Sequence, residues 1–221
     1  MNRTKIEWTD YTWNPITGCD QVGCPLGKNC YAYMMAQRLR GRYGYPKDDP
    51  FKVTFHPNRL HEPLQVKKPS KIFVGSMAEM YCCDVKYGWL ELVFGVMRRC
   101  PQHTFQSLTK QPQNAIPTLP HNLWFGTSVT GLADEWRINR VKDTYAEIHF
   151  ISFEPLLGPI DFEGHSLDDI EWVIIGKLTG RKRFFDMKWV MEISAECSKL
   201  GIPVFLKNNL GLQNPRQEFP R

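Results

Sequence analysis

Short apolar runs recur along this chain between polar and helix-forming stretches, and they restrict its fold more than any other feature. They fall at Lys52–Phe55, Lys71–Gly75, Thr104–Leu108, Leu123–Ser128, Ile148–Ser152, Trp172–Gly176 and Pro203–Leu206. Several are continuous rather than alternating, as in Ile-Phe-Val, Trp-Val-Ile-Ile and Val-Phe-Leu. A strand with one wet face alternates in polarity; a continuous run fits a strand buried on both faces, the habit of a parallel sheet. Helical spacing appears between the runs. Tyr31–Arg40 carries Tyr31, Met34, Met35 and Leu39 before a Gly41 stop, Lys86–Arg99 aligns Trp89, Leu90, Val93, Val96 and Met97, and Met187–Leu200 ends at Gly201. Alternation of this kind predicts βα units in an α/β fold. We expect one domain over residues 1–221, a barrel-like and incomplete TIM-type parallel sheet with surrounding helices. At 221 residues the chain lies near the lower size limit for eight full units.

No Gly/Ser/Pro-rich linker, repeat or low-complexity tract divides the sequence. No apolar run is long enough to cross a membrane, and the opening Met-Asn-Arg-Thr-Lys-Ile-Glu-Trp lacks the apolar core of a signal peptide. These features predict a cytoplasmic protein with no membrane partner. A net charge of +5 is compatible with a nucleic-acid or phosphate-bearing partner without requiring one. No Gly-rich phosphate loop, nucleophile elbow or His-Glu-x-x-His motif occurs, which argues against a kinase, a hydrolase of that type and a zincin.

In parallel α/β folds the carboxyl ends of the strands form the active face. Polar residues follow the runs here: Ser76 and Glu79, Thr109 and Lys110, Ser128, Glu154, then Lys207 and Asn208. Their succession predicts a functional rim. Lys110 and Lys207 suit a phosphate or carboxylate, or equally a solvated loop. Arg181, Lys182 and Arg183, followed by Phe184 and Phe185, could grip a nucleic-acid backbone, or form a surface loop packed over its phenylalanines.

Cysteines carry the sharpest chemical signal. Seven occur in a chain with no export signal, and Cys19, Cys24 and Cys30 crowd into the loop 18–31. Thiols clustered in a reducing compartment point to metal ligands or catalytic groups rather than disulfides. Glycines and a proline keep the segment in loops, and a helix starting at Tyr31 turns its positive end toward the thiolates. A structural zinc site would need a fourth ligand from His56, His61, Cys82 or Cys83, and it would lack the usual Cys-x-x-Cys pair. A catalytic zinc site with an open position is a second reading, and ordinary buried thiols a third. A [4Fe–4S] cluster held by three cysteines, with one iron left for a cofactor, is the reading we favour. Adjacent Cys82 and Cys83 fit a redox pair or, because neighbouring side chains point apart, two inert thiols.

Further motifs resemble a known family. They are Thr4-Lys5-Ile6-Glu7-Trp8-Thr9-Asp10, Trp13-Asn14-Pro15-Ile16-Thr17-Gly18-Cys19, Asn29-Cys30-Tyr31-Ala32, Ile72-Phe73-Val74-Gly75-Ser76-Met77 and His103–Lys110. Asn122–Gly126, Ser152–Asp161 and Ile202–Lys207 continue the series over essentially the whole chain. Together they resemble the phage-associated three-cysteine family of unknown function related to radical S-adenosylmethionine enzymes. The resemblance implies a cluster on Cys19, Cys24 and Cys30, with S-adenosylmethionine at a rim built from Tyr31, Ser76, Glu79, Ser128, Glu154 and Lys207. It also implies an electron donor and a 5′-deoxyadenosyl radical. With the mild basicity, the phage association suggests a nucleic acid or nucleotide substrate. The alternative is a zinc- or cluster-bearing nucleic-acid-binding protein without radical chemistry. Two departures stand out. Five residues separate Cys24 from Cys30 where such families keep two, and Gly176-Lys177-Leu178-Thr179-Gly180 stands where Gly-Gly-Glu-Ser-Gly is usual. The second leaves Glu154 or Glu79 to supply the carboxylate.

Overall fold

The structure, a computed structural model, describes residues 1–179 and 184–220. Ten strands form in chain order: β1 (Asn2–Arg3), β2 (Tyr11–Trp13), β3 (Ile16–Thr17), β4 (Thr54–Phe55), β5 (Lys71–Val74), β6 (Thr104–Thr109), β7 (Leu123–Ser128), β8 (His149–Phe153), β9 (Trp172–Ile175) and β10 (Val204–Leu206). Four α-helices accompany them: α1 (Tyr31–Arg38), α2 (Tyr87–Arg98), α3 (Trp136–Val141) and α4 (Met187–Leu200). Eight strands make one sheet in the order β1-β2-β5-β6-β7-β8-β9-β10. Every neighbouring pair from β2 onward is parallel, and β1 runs antiparallel on β2. The result is a mixed α/β fold with a large, mostly parallel sheet. No ladder joins β1 to β10 among the described residues, so the sheet does not close by hydrogen bonding.

The apolar runs did mark β5 to β10, and β9 shows the expected reason for the continuous ones. In β9 all four residues are buried, and Trp172 and Ile174 face one way while Val173 and Ile175 face the other. One face packs against the helices: Leu90, Val93, Phe94 and Met97 of α2, Ile138 and Val141 of α3, and Val190, Ile193 and Cys197 of α4 share a core with Ile72, Phe105, Phe125, Ile151 and Val173. The opposite face gathers Trp8, Phe150, Trp172, Ile174 and Phe205. Trp8 touches Phe73 of β5 at 4.8 Å and Trp172 of β9 at 6.1 Å between ring centroids. Those two rings therefore stand no more than about 11 Å apart, whereas four strand spacings in a flat sheet would separate β5 from β9 by about 19 Å. The sheet curls around Trp8.

One run was misplaced. Lys52–Phe55 is not a strand of the main sheet; Thr54–Phe55 pairs antiparallel with Ile16–Thr17 in a separate two-stranded sheet. Its place is taken by Tyr11–Trp13, three residues beside Asp10 whose short Tyr-Thr-Trp pattern carries little apolar signal. The helix expected over Tyr31–Arg40 ends at Arg38, and α2 spans Tyr87–Arg98. Met187–Leu200 forms as expected, with Asp186 capping the N-terminus by accepting from Lys188 N, and with left-handed Gly201 ending it. The Arg181–Arg183 basic run lies outside the described residues. Among the described residues no helix is long and apolar enough to cross a membrane.

Candidate metal centre

The cysteine loop is seated before any cysteine is reached. Gly18 has a φ of +93°, and a β-carbon there would stand 2.4 Å from the Lys52 carbonyl oxygen, so no other residue fits without moving backbone. Its N–H donates to the Met77 carbonyl at 2.9 Å, and its carbonyl accepts from Glu79 N at 3.1 Å. Cys19 N then donates to the Phe51 carbonyl. The two Gly18 bonds tie the loop to the segment following β5, at the carboxyl ends of the strands, and the Cys19 bond ties it to the segment before β4. Further on, Cys24 N donates to Gln21 O and the Gln21 amide donates to Gly27 O at 2.9 Å, which folds the loop on itself. A 3₁₀ turn over Gly27–Asn29 delivers Cys30 as the residue preceding α1.

Cys24 and Cys30 come together. Their thiols interact, so one holds the proton and stabilises its neighbour's thiolate; this draws Cys24 well below the ordinary thiol range and pushes Cys30 above it. The N–H groups of Leu26 and Gly27, with Lys110, favour charge on Cys24. Those of Ala32 and Tyr33, at the positive end of α1, act the same way on Cys30, though no sulfur cap bond is formed. Cys19 has different company. Its sulfur accepts from Gln21 N at 3.1 Å, and burial, reinforced by Glu79, Asp20 and Cys82, pushes its pKa up to about 12. Among the described residues no three His, Cys, Asp or Glu side chains converge in an arrangement that would hold a metal ion. All seven cysteines are free thiols.

The other candidate zinc donors are dispersed. Buried His56 pairs with Thr17 Oγ1 at 2.8 Å, and burial, with Arg59, lowers its pKa to about 4. His61 is exposed. Cys82 is buried near Asp20, whose Oδ2 is 3.9 Å from the exposed Cys83 sulfur.

The expected rim residues divide into two groups. Ser76 exchanges hydrogen bonds with Asn14, which also accepts from Met77 N. Glu79 is buried and accepts from Thr109 Oγ1, Lys110 N and Tyr81 N; desolvation raises its pKa. Its carboxylate thus clamps the loop after β5 to the end of β6. Ser128 is buried, and its carbonyl accepts from Arg137. Glu154 and Lys207 form an ion pair beyond β8 and β10, apart from this group. Gly176 leaves room for them, because a β-carbon there would lie 2.9 Å from Lys207 and 3.0 Å from Glu154. Tyr31 opens α1 and is 63% exposed.

Arg137 is the residue that sequence reasoning missed. Its side chain is 2% exposed, donates to Ser128 O and Gly23 O at 2.9 Å each, and pairs with Asp134 at 2.9 Å. It ties the cysteine loop to the end of β7. Gln111 adds a second tie, donating to Asp20 Oδ1 at 2.7 Å. The Asp134-x-x-Arg137 spacing was the available signal, but the same spacing is common on solvated helices.

The fold and site define a class: a parallel α/β sheet that carries a cysteine-bearing loop at the carboxyl ends of its strands. Residues 3–217 match the family described as Protein of unknown function (DUF5131), and the chain belongs to it. No curated protein and no solved structure matches the chain.

Proposed function

We propose that this protein is an iron–sulfur enzyme that uses S-adenosylmethionine, on a sheet that is an incomplete barrel of TIM type. The observation that carries the reading is the loop bearing Cys19, Cys24 and Cys30, which is tied to the carboxyl ends of the strands and delivers Cys30 to the amino end of α1. Curling of the sheet around Trp8 supports the barrel. The donor set fits a [4Fe–4S] cluster in kind: three thiols on one loop, backbone N–H groups beside two of them, and the cations Lys110 and Arg137 near Cys24. Cys19, Cys24 and Cys30 would hold it. When bound, such a cluster supplies the electron that cleaves S-adenosylmethionine to methionine and a 5′-deoxyadenosyl radical.

The chain's own residues position and shield. Gly18 and Arg137 fix the two halves of the cysteine loop against β5 and β7. Glu154 and Lys207 offer a carboxylate and an ammonium side by side, a match for the zwitterionic end of an amino-acid cofactor. Trp8, Phe150 and Trp172 fill the sheet's concave face and exclude water below the rim.

Oxygen-free purification and reconstitution, followed by counting of iron, sulfide and zinc, tests the metal. Incubation with S-adenosylmethionine and a reductant, with chromatography for 5′-deoxyadenosine, tests the chemistry. Iron and sulfide near four each, lost in Cys30→Ser, and cofactor cleavage support the reading. An iron-loaded protein that never cleaves the cofactor would overturn the radical chemistry. Bound zinc without iron would favour the zinc-bearing nucleic-acid-binding alternative.

A further inference from the structure

All of the chain's net charge gathers in one stretch. Residues 28–59 hold seven basic side chains, Lys28, Arg38, Arg40, Arg42, Lys47, Lys52 and Arg59, against only Asp48 and Asp49, an excess equal to the +5 of the whole chain. The same stretch carries Tyr31, Tyr33, Tyr43 and Tyr45. Cations interleaved with aromatic rings suit a polyanion whose units have π-faces.

The fold turns this composition into a cavity. A hollow of about 610 Å³ lies between α1 and the β1–β2 edge, lined by Tyr31, Tyr43 and Tyr45 with Asn14, Asn58, Arg59 and Glu62, whose carboxylate is held by the N-terminal ammonium at 2.6 Å. That volume is in the range of small-ligand sites, about 300–1,000 Å³. Arg59 holds its wall together: the guanidinium donates to Asn14 O and Tyr43 O and stands 5.8 Å from the Tyr45 ring centroid. Tyr43 is 75% exposed, yet its backbone sits at a φ of +52°. A bulky residue in the left-handed region costs free energy, and a large apolar ring in water gains nothing in return. Tyr31 is likewise largely exposed and directly follows Cys30. Two presented rings, the Asn58 amide and the Arg59 guanidinium meet at one place beside the cysteine loop, and the other cations of the stretch flank them in sequence.

We infer that this cavity binds single-stranded nucleic acid, with a base stacked on Tyr43 and Tyr31 and the flanking phosphates drawn by Arg38, Arg40 and Arg42. A single strand fits better than a duplex, because only unstacked bases offer their faces to tyrosine rings. The inference names a substrate class for the proposed enzyme, but the binding itself does not depend on the cluster.

Fluorescence anisotropy of the full chain with labelled single-stranded DNA and RNA oligonucleotides tests it, with duplex DNA and phosphatidylserine vesicles as comparison probes. Saturable binding to single strands is expected, tighter than to duplex or vesicles. Tyr43→Asn, which keeps a residue tolerant of positive φ, should weaken it about tenfold or more. Joint Arg38→Gln and Arg42→Gln should lower the slope of log Kd against log salt by about 0.7 per charge removed, while Arg98→Gln on α2 should change nothing. The inference falls if no saturable binding occurs at low salt, if Tyr43→Asn binds like the parent, or if vesicles bind more tightly than single strands. A chain that binds oligonucleotide but takes up no iron would overturn the cluster reading alone.

Discussion

Replacing Arg137 with methionine separates its role as a tether from that of a mere space-filler. Methionine keeps much of the aliphatic volume but removes bonds to Ser128 O, Gly23 O and Asp134. Asp134 would keep its bonds from Thr130 N and Oγ1 but lose its counter-charge in a largely buried setting. Removing one partner of a buried pair costs about 3–5 kcal/mol. Two features reduce that figure here: Arg137 Nε has no partner, and burial already disfavours the guanidinium charge. We therefore expect a loss of about 3 kcal/mol in urea unfolding followed by tryptophan fluorescence. A local effect should accompany it. The Gly23 bond is a charged-to-neutral hydrogen bond worth about 1.5–3 kcal/mol, so its loss should speed exchange of the Cys24 amide, which donates to Gln21 O, by about tenfold or more. Hydrogen exchange resolved by mass spectrometry reads this directly. Arg137→Lys keeps the charge but cannot span Ser128, Gly23 and Asp134 at once, so it should show the local effect with a smaller global loss. A methionine variant within 1 kcal/mol of the parent, with Cys24 exchange unchanged, would refute the tether.

Gly18→Ala should destabilise the chain by at least about 2 kcal/mol, because its β-carbon meets backbone carbonyls, while Gly158→Ala, with open space around it, should be near neutral in the same urea titration. His56 gives a pH signature. Its pKa is lowered to about 4 in the folded chain against 6.5 unfolded, so the unfolded state binds the extra proton between those values. Its contribution is therefore present above pH 6.5 and lost as pH falls toward 4, at most about 3 kcal/mol in all. His56→Gln should shrink the drop in stability between pH 7 and pH 5 by about 2 kcal/mol; an identical drop in both proteins would contradict it. Trp8→Ala, which empties the concave face, should cost about 3–5 kcal/mol and remove the near-ultraviolet circular dichroism of the ring cluster.

What was legible in the sequence followed the physics of each element. Strands β5 to β10 are largely buried on both faces, so their apolar runs announced them, and Gly201 marked the end of α4. Tyr11–Trp13 escaped notice because three residues carry too little pattern, and its role comes from pairing with Ile72–Val74 some sixty residues away. Short α3 was missed for a similar reason. The cysteine loop stood out by composition, but the company each thiol keeps did not. Glu79, Lys110, Gln111 and Arg137 reach that loop from distant strand ends, so only folding sorts Cys19 from Cys24 and Cys30. The cations between Lys28 and Arg59 are spread thinly along the sequence, and only the fold shows that Arg59 lines the hollow beside α1.

The seam between the sheet's two ends has a consequence for how the chain is made. Glu7 accepts from Asn208 N and from the Gln217 amide, Trp172 Nε1 donates to Glu218 O, and Phe219 stacks on Trp172. Trp8 meets no complete pocket until Phe150 and Trp172 have arrived. During synthesis at about 5–20 residues per second, the opening segment therefore waits on the order of ten seconds or more for its partners. Over that interval the edges of β5 to β7 stand unpaired beside apolar faces, the condition under which neighbouring chains pair wrongly. Contacts between residues some two hundred positions apart also make folding slow once the whole chain is present. Recovery of this protein should thus depend on how fast it is translated and on what holds its first half meanwhile.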